Sequence, residues 1–232
     1  MKEAEANPGW TFLEDRLKTL HSGLTMEGEI LVFLTRRIAA GVGTGYIFSE
    51  ITEDASQVIV QKTLSVIDSA HPASVSALPL IISGSYFLPL KKNISLMVRG
   101  GTGLLWAKYV SRQAQKKHES TQYTYPQLHK ASSRGPVYVA GLGLAYERES
   151  GLYFFLEGTF RKSRITGFSG ENKDGSEGTL YAFERYYPAL GVWIHEFDIL
   201  SAPPSGPGFR SAQEAVVDFD GFSVTIGFMI RF

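Results

Sequence analysis

The chain has 232 residues, with 23 basic and 23 acidic side chains, 44% hydrophobic residues, 24 glycines and no cysteine. The balanced charge argues against a nucleic-acid footprint or a polybasic membrane anchor, and the lack of cysteine excludes disulfides, thiolate nucleophiles and thiolate metal sites. A membrane-crossing helix needs roughly 18 to 20 consecutive apolar residues, and here a polar residue or glycine interrupts every apolar run well before that length.

The first segment, residues 1–23, opens on Met-Lys-Glu-Ala-Glu-Ala-Asn-Pro and lacks the basic and apolar regions of a secretory leader. Trp10, Leu13, Leu17 and Leu20 then recur at helical spacing after Asn7-Pro8, a suitable N-cap and first-turn pair, and Gly23 follows as a stop. The spacing predicts a short amphipathic helix, with a separate domain over residues 24–232.

From residue 24 the period changes to two, the repeat of a strand. In 24–34, Met26, Ile30, Val32 and Leu34 oppose Thr25, Glu27 and Glu29, and after the short turn Thr35-Arg36-Arg37 the run 38–48 sets Ile38, Val42, Tyr46 and Phe48 against Gly41, Gly43 and Gly45. A long polar connection, 49–76, leads to 78–88, where Leu78, Leu80, Ile82, Tyr86 and Leu88 oppose Pro79, Ser83 and Ser85. The short turn 89–93 precedes 94–108, with Leu96, Val98, Leu104 and Trp106 against Arg99, Gly101, Gly103 and Ala107.

A second long connection, 110–136, is followed by 138–146, the short turn 147–151 and 152–162, whose alternate positions include Glu157, Thr159 and Arg161. The third long connection, 166–220, contains two strand-like runs, 178–187 and 190–197, on either side of Pro188-Ala189, which predicts a hairpin within it. The final run places Phe222, Val224, Ile226, Phe228, Ile230 and Phe232 on one face and Ser223, Thr225, Gly227, Met229 and Arg231 on the other.

A soluble sandwich turns its large apolar residues inward and its charged residues to water. In these runs the face opposite the large apolar residues is mostly Gly, Ala, Ser and Thr with a few charges, which suits a narrow interior where side chains from many strands converge while the apolar face meets lipid. Short and long connections also alternate along the chain, as in a barrel with tight turns at one membrane surface and long loops at the other. Trp106, Tyr109, Tyr46, Phe48, Phe160 and Tyr138 fall near the long-loop ends of the runs and Tyr86, Tyr146, Tyr153 and Phe232 near the short turns, the distribution of two interfacial aromatic girdles.

The end Val217-Asp-Phe-Asp-Gly-Phe-Ser-Val-Thr-Ile-Gly-Phe-Met-Ile-Arg-Phe232 resembles the terminal strand of small bacterial outer-membrane β-barrel proteins, and the hairpins over 86–103 and 141–158 are similar to those of the eight-stranded members. The resemblance spans roughly residues 20–232. It implies an all-β, antiparallel up-and-down transmembrane barrel of about eight strands in the bacterial outer membrane. It further implies contact with outer-membrane lipid, monomeric action and insertion by the β-barrel assembly machinery, which in this group reads the C-terminal strand, here Phe228, Ile230 and Phe232. Seven runs alternate, yet an antiparallel barrel closes only with an even number. One strand is therefore wanting before residue 24, and we read the chain as having lost a leader and with it a first strand, the alternative being that residues 8–22 form a poor strand.

The inward faces carry Glu27, Glu29, Arg99, Glu157, Arg161 and Arg231. Charges held away from bulk water require partners, so these six are expected to pair across the lumen and fill it. That favours a structural or interaction barrel; the alternatives are a narrow channel for small solutes and, behind it, a lipid-modifying enzyme or protease. No cofactor or metal is expected. His21, His71, His118, His129 and His195 are scattered, no nucleophile elbow or His-x-x-x-His occurs, and the trio His195, Glu196 and Asp198 is read as an exposed loop. Gly41-Val-Gly-Thr-Gly45 and Gly100-Gly-Thr-Gly103 lie within strands rather than before a helix, so they mark close packing against large side chains such as Tyr109 and Phe155 instead of phosphate binding.

Overall fold

A computed structural model describes residues 10–12, 24–51, 58–60, 67–70, 73–117, 123–149, 151–172, 174–188 and 191–230. Among them strand is the only regular structure. In chain order the strands are β1 (Trp10–Phe12), β2 (Leu24–Phe33), β3 (Ile38–Ile51), β4 (Val58–Val60), β5 (Ile67–Ala70), β6 (Ala73–Lys91), β7 (Ile94–Lys117) and β8 (Tyr123–Glu149). They continue as β9 (Leu152–Lys162), β10 (Arg164–Ile165), β11 (Ser169–Glu171), β12 (Glu177–Tyr187), β13 (Val192–Leu200), β14 (Phe209–Glu214), β15 (Val217–Asp218) and β16 (Gly221–Ile230).

All seven alternating runs of the sequence are strands, and they pair antiparallel in the order β2, β3, β6, β7, β8, β9, β16. Each follows its neighbour through a tight turn or a longer connection, so the sheet is a meander in which the first and seventh strands run the same way. The tight turns are built from local chemistry. Thr35 Oγ1 accepts the backbone N–H of Arg37 and of Ile38, at 3.1 and 3.0 Å, and bends the chain between β2 and β3. Lys92-Asn93 joins β6 to β7, and Gly151, with φ of 100°, supplies the left-handed turn residue before β9.

Period-two alternation decides which way each side chain points. Inward positions are the odd residues of every strand in the meander: Ala39, Val75, Ala77, Ile81, Ser83, Ser85, Met97, Leu105, Val137, Ala145, Glu157 and Thr159 are all buried. The even positions carry the large apolar residues outward, Met26, Ile30, Val42, Ile82, Leu104, Leu142, Leu156 and Ile226 among them. The sheet curls about the odd face, because Arg99 on β7 and Arg161 on β9 both reach acidic residues on β2.

Three expectations are corrected. The N-terminal helix is not seen: Trp10–Phe12 is a strand paired antiparallel with Val58–Val60, a β-branched partner overriding weak local helical spacing, while residues 13–23 lie outside the described residues. Much of 110–136 is strand rather than loop, since β7 and β8 are 24 and 27 residues long and stay paired out to Lys116 and Tyr123. A membrane crossing uses only about 9 to 11 residues of a tilted strand. Third, 49–76 and 166–220 also contain paired strands: β3 runs to Ile51, β5 joins β7, and β11, β12, β13 and β14 extend the sheet from the upper part of β8. The hairpin expected around Pro188-Ala189 is present as β12 and β13. No pairing joins β2 to β16 among the described residues, so the closed cylinder implied by the resemblance is not formed by hydrogen bonds there.

Candidate functional site

The inward charges meet in one layer. Arg99 Nη2 lies 3.0 Å from Glu29 Oε2, and its Nη1 lies 3.4 Å from Glu157 Oε2, so one guanidinium bridges β2 and β9 across the interior. Arg161 Nη1 lies 3.5 Å from Glu27 Oε1, and its Nε donates to the Phe219 carbonyl at 3.2 Å. Ser83 donates from its hydroxyl to Glu29. Glu157 is 2% exposed, and its second oxygen, Oε1, has no hydrogen-bond donor among the described residues.

Glycine makes room for this layer. A Cβ at Gly41 would stand 2.7 Å from Glu29 Oε1, one at Gly45 would stand 3.0 Å from Glu27 Cγ, and one at Gly141 would overlap the Glu157 carboxylate. Each acidic side chain thus lies flat over glycine on the neighbouring strand. The sequence predicts that the glycines of 41–45 and 100–103 pack against large side chains such as Tyr109 and Phe155. Phe155 lies against Gly227, whereas Gly41 and Gly45 lie beside the Glu29 and Glu27 side chains and Gly101 and Gly103 face the backbone of β6.

Apolar layers close off the charged one on both sides. Toward the short turns, Phe33, Phe87, Met97, Ala145, Tyr153 and Met229 cluster in the interior, with Phe33 ring centroids 5.4 Å from Phe87 and 6.4 Å from Tyr153. Toward the long connections a larger core joins Leu105, Tyr109, Val137 and Ile165 to Phe168, just before β11, and to Leu180 and Ile199 of the added strands. Tyr109 and Tyr153 are buried in these layers and do not belong to the aromatic girdles to which their positions near strand ends assigned them. Of the other aromatics expected there, Tyr46, Trp106, Tyr138 and Phe160, and near the short turns Tyr86 and Tyr146, are exposed, as are Phe154, Phe222 and Phe228; Phe48 is half-buried and Phe232 lies outside the described residues.

Of the six residues expected in the charge layer, five are brought together, and Arg231 lies outside the described residues. Of the C-terminal positions, Phe228 points outward, Ile230 pairs through its backbone with Leu152, and Phe232 lies outside the described residues. Sequence reasoning missed Ser83, whose inward parity was legible but whose donor role was not.

Beyond the curled meander, the acidic and histidine residues of β12 and β13 form separate pairs. His195 Nε2 lies 3.0 Å from Glu184 Oε1, Glu184 also pairs with Arg210, and His129 Nδ1 lies 3.2 Å from Asp198. The Arg210 guanidinium sits 4.3 Å over the Trp193 ring, which packs against Tyr186. Tyr187 donates to Glu196, and burial together with that carboxylate pushes the phenol up to about 12. Among the described residues, no group of three or more His, Cys, Asp or Glu side chains is arranged to hold a metal ion.

Comparison of the chain with protein-family models, with curated proteins and with solved structures returns no match. What the chain does is therefore argued from its own geometry.

Proposed function

We propose that the chain is an outer-membrane β-barrel with a filled lumen, acting as a structural and interaction scaffold. One observation carries the reading: the meander is inside out. Its large apolar side chains stand on the outer face across the belt that the seven strands share, while the interior sets a layer of charged residues and glycines between two apolar layers. In water such a continuous apolar surface would far exceed the few hundred Å² that soluble monomers expose. In a bilayer the same face is solvated by lipid chains, the two aromatic bands sit at the interfaces, and the backbone groups of the strands between β2 and β16 are satisfied by their neighbours in the sheet.

The apolar layers above and below the charge layer support a plugged lumen over a conducting one, since a selective pore needs a continuous water path past its charged ring. The strands beyond the upper band, packed through Phe168, Leu180 and Ile199 onto the same core as the meander, give the scaffold an outer platform for contact with partners.

The test uses Trp106 of the outer face. A variant with Trp10→Phe and Trp193→Phe leaves it the sole tryptophan. Reconstituted in vesicles of phosphatidylcholine with brominated acyl chains, it should lose most of its fluorescence relative to unbrominated vesicles. Equal emission in both would overturn the membrane reading, and single-channel conductance of the wild type in planar bilayers would replace the plugged scaffold by a channel.

A further inference from the structure

We propose that the outer face of β7 to β10, at the end of the apolar belt nearer the long connections, binds the headgroup of a lipid that carries two phosphates, whose acyl chains lie along the belt. The inference rests on the membrane reading above and adds a ligand to it.

Five basic side chains form the site. Lys108 of β7, Lys130 and Arg134 of β8, Lys162 of β9 and Arg164 of β10 are all exposed. Their even parity sets them on the same outward face as Leu104, Trp106, Tyr138 and Phe160. The register makes them neighbours. Lys108 lies opposite Ser132, so Lys130 and Arg134 are its two diagonal neighbours on β8. On the other side of β8, Lys162 lies opposite Tyr138. The chain after β9 stays fastened to β8, because Ser163 donates from its hydroxyl to the Pro136 carbonyl at 2.8 Å and Ser133 donates to the Thr166 carbonyl at 2.6 Å. Arg164, between those two ties, is thereby kept beside Arg134. With neighbouring strands about 4.8 Å apart and a rise of about 3.3 Å per residue, the five bases span roughly 13 Å along β8 and roughly 10 Å across it. A single phosphate would engage only part of that area.

Position selects a lipid. Arg134 stands opposite Trp106 and Lys162 opposite Tyr138, so cations and aromatic rings share the edge of the belt whose apolar part continues through Leu104, Leu142 and Leu156. Aromatic rings mark the interface of a bilayer, and long basic side chains lay their stems on apolar surface while their charged ends reach the headgroups. At the same level β6 presents Ser74 and Ser76, opposite Val110 and Lys108. The charge is therefore a patch on one flank of the sheet, the shape that holds one headgroup, and not a girdle that attracts an anionic surface at large.

Charge sets the number of phosphates. The acidic residues beside the patch lie at its margins: Glu171 opposite Lys130, Asp218 at 3.8 Å from Arg164, and Asp220, whose Oδ1 accepts the Ser163 backbone N–H. Five cations against these three carboxylates leave two positive charges in excess. At the centre, Lys108 and Arg134 face Ser76, Ser132 and Trp106 in the register and no carboxylate. Two singly charged phosphates balance the patch, and the Arg134 guanidinium can take one of them through two parallel hydrogen bonds.

The experiment uses the full chain with Trp10→Phe and Trp193→Phe, which leaves Trp106, the register partner of Arg134, as the sole tryptophan. It is reconstituted in phosphatidylcholine vesicles holding a minor fraction of cardiolipin, with two phosphates, or of phosphatidylglycerol, with one. Bromine is placed on the acyl chains of one component at a time, so that quenching of Trp106 reports how often that lipid is its neighbour. Cardiolipin should be enriched over phosphatidylcholine by about fivefold or more, the contribution of even one basic residue near an anionic headgroup, and phosphatidylglycerol distinctly less. Lys108→Gln with Arg134→Gln should bring cardiolipin close to its bulk fraction, Lys108→Arg with Arg134→Lys should keep most of the enrichment, and Lys91→Gln with Lys92→Gln at the β6–β7 turn should leave it unchanged. Quenching in proportion to mole fraction, equal enrichment of the two anionic lipids, or enrichment that survives loss of Lys108 and Arg134 would overturn the site. Brominated phosphatidylcholine reports the membrane reading separately. If it quenches while cardiolipin is not enriched, the lipid site alone is discarded; if no brominated lipid quenches, the barrel beneath it is discarded.

Discussion

Arg99 and Glu29 form an ion pair at 3.0 Å although β3 and β6 separate their strands in the sheet. The contact exists only because the sheet curls, and it makes Arg99 the common partner of two carboxylates. Removing Arg99 strands both Glu29 and Glu157, whereas removing Glu157 leaves Arg99 with Glu29. Arg99→Met should therefore be the costliest single change in the layer, by about 3 to 5 kcal/mol, with Glu157→Gln well below it. Adding Glu157→Gln to Arg99→Met should recover part of the loss. Urea unfolding of vesicle-folded protein measures all three, and additive costs would show the layer to be hydrated rather than buried.

Neighbouring residues on β16 test the two faces. Ile226 is the most exposed large apolar residue among the described residues, while Thr225 points inward and is paired with Glu157 in the register. Ile226→Arg should cost about 2 to 4 kcal/mol in vesicles, as a charge on a barrel's lipid face does. Thr225→Arg should cost less, because the carboxylate with an unused oxygen lies beside it. A reversed order in the same unfolding assay would mean that the faces are exchanged.

The glycine beds make a sharper steric prediction. A Cβ at Gly141 collides with the Glu157 carboxylate, whereas one at Gly84 meets nothing within 4 Å. Gly141→Ala should destabilise by about 1 to 3 kcal/mol, the usual cost of overpacking, while Gly84→Ala should be neutral or stabilising by about 0.4 to 1 kcal/mol through the unfolded chain. Combining Gly141→Ala with Glu157→Ala should relieve the clash, and the denaturant midpoints of the four proteins decide whether it does.

Alkaline pH should loosen the β12–β13 hairpin. The Tyr187 phenol is held up to about 12 in the folded protein, by burial first and then by Glu196, against 10.0 for a free tyrosine. Because the folded value is the higher, the stabilisation is complete below pH 10 and is lost as the pH climbs through about 12. Absorbance at 295 nm should show a late-ionising tyrosine component, and Tyr187→Phe should reduce its amplitude by one tyrosine. An unchanged amplitude in the variant would assign the shift to another residue.

Parity made most of the fold legible. Knowing that Ile226 and Thr225 alternate was enough to place one outside and one inside, and the same held for Glu157 and for Glu29, because a strand leaves a side chain only two directions. The pairing of Arg99 with Glu29 rather than with Arg161's neighbourhood was not legible, since it depends on the curl and stagger of the sheet. Nor was the continuation of β7 and β8 beyond Val110 and Pro136. Above the apolar belt the alternation fades and polar residues such as Gln113 dominate, so polar composition there read as loop. Tyr109 and Tyr153 were misplaced because nearness to a strand end was weighed over their odd parity. Trp10 was misread because its strand partner, Val60, lies far along the chain.

The central claim, that the even face of the meander lies against lipid, is tested most directly by spin labels at successive positions along β16. The chain has no native cysteine, so single Cys variants at residues 222 to 229 can be labelled cleanly and reconstituted in vesicles. Collisions with oxygen, which concentrates in the bilayer, should peak at 222, 224, 226 and 228, and collisions with a water-soluble nickel chelate should be low there. High nickel accessibility at those four positions would contradict the account.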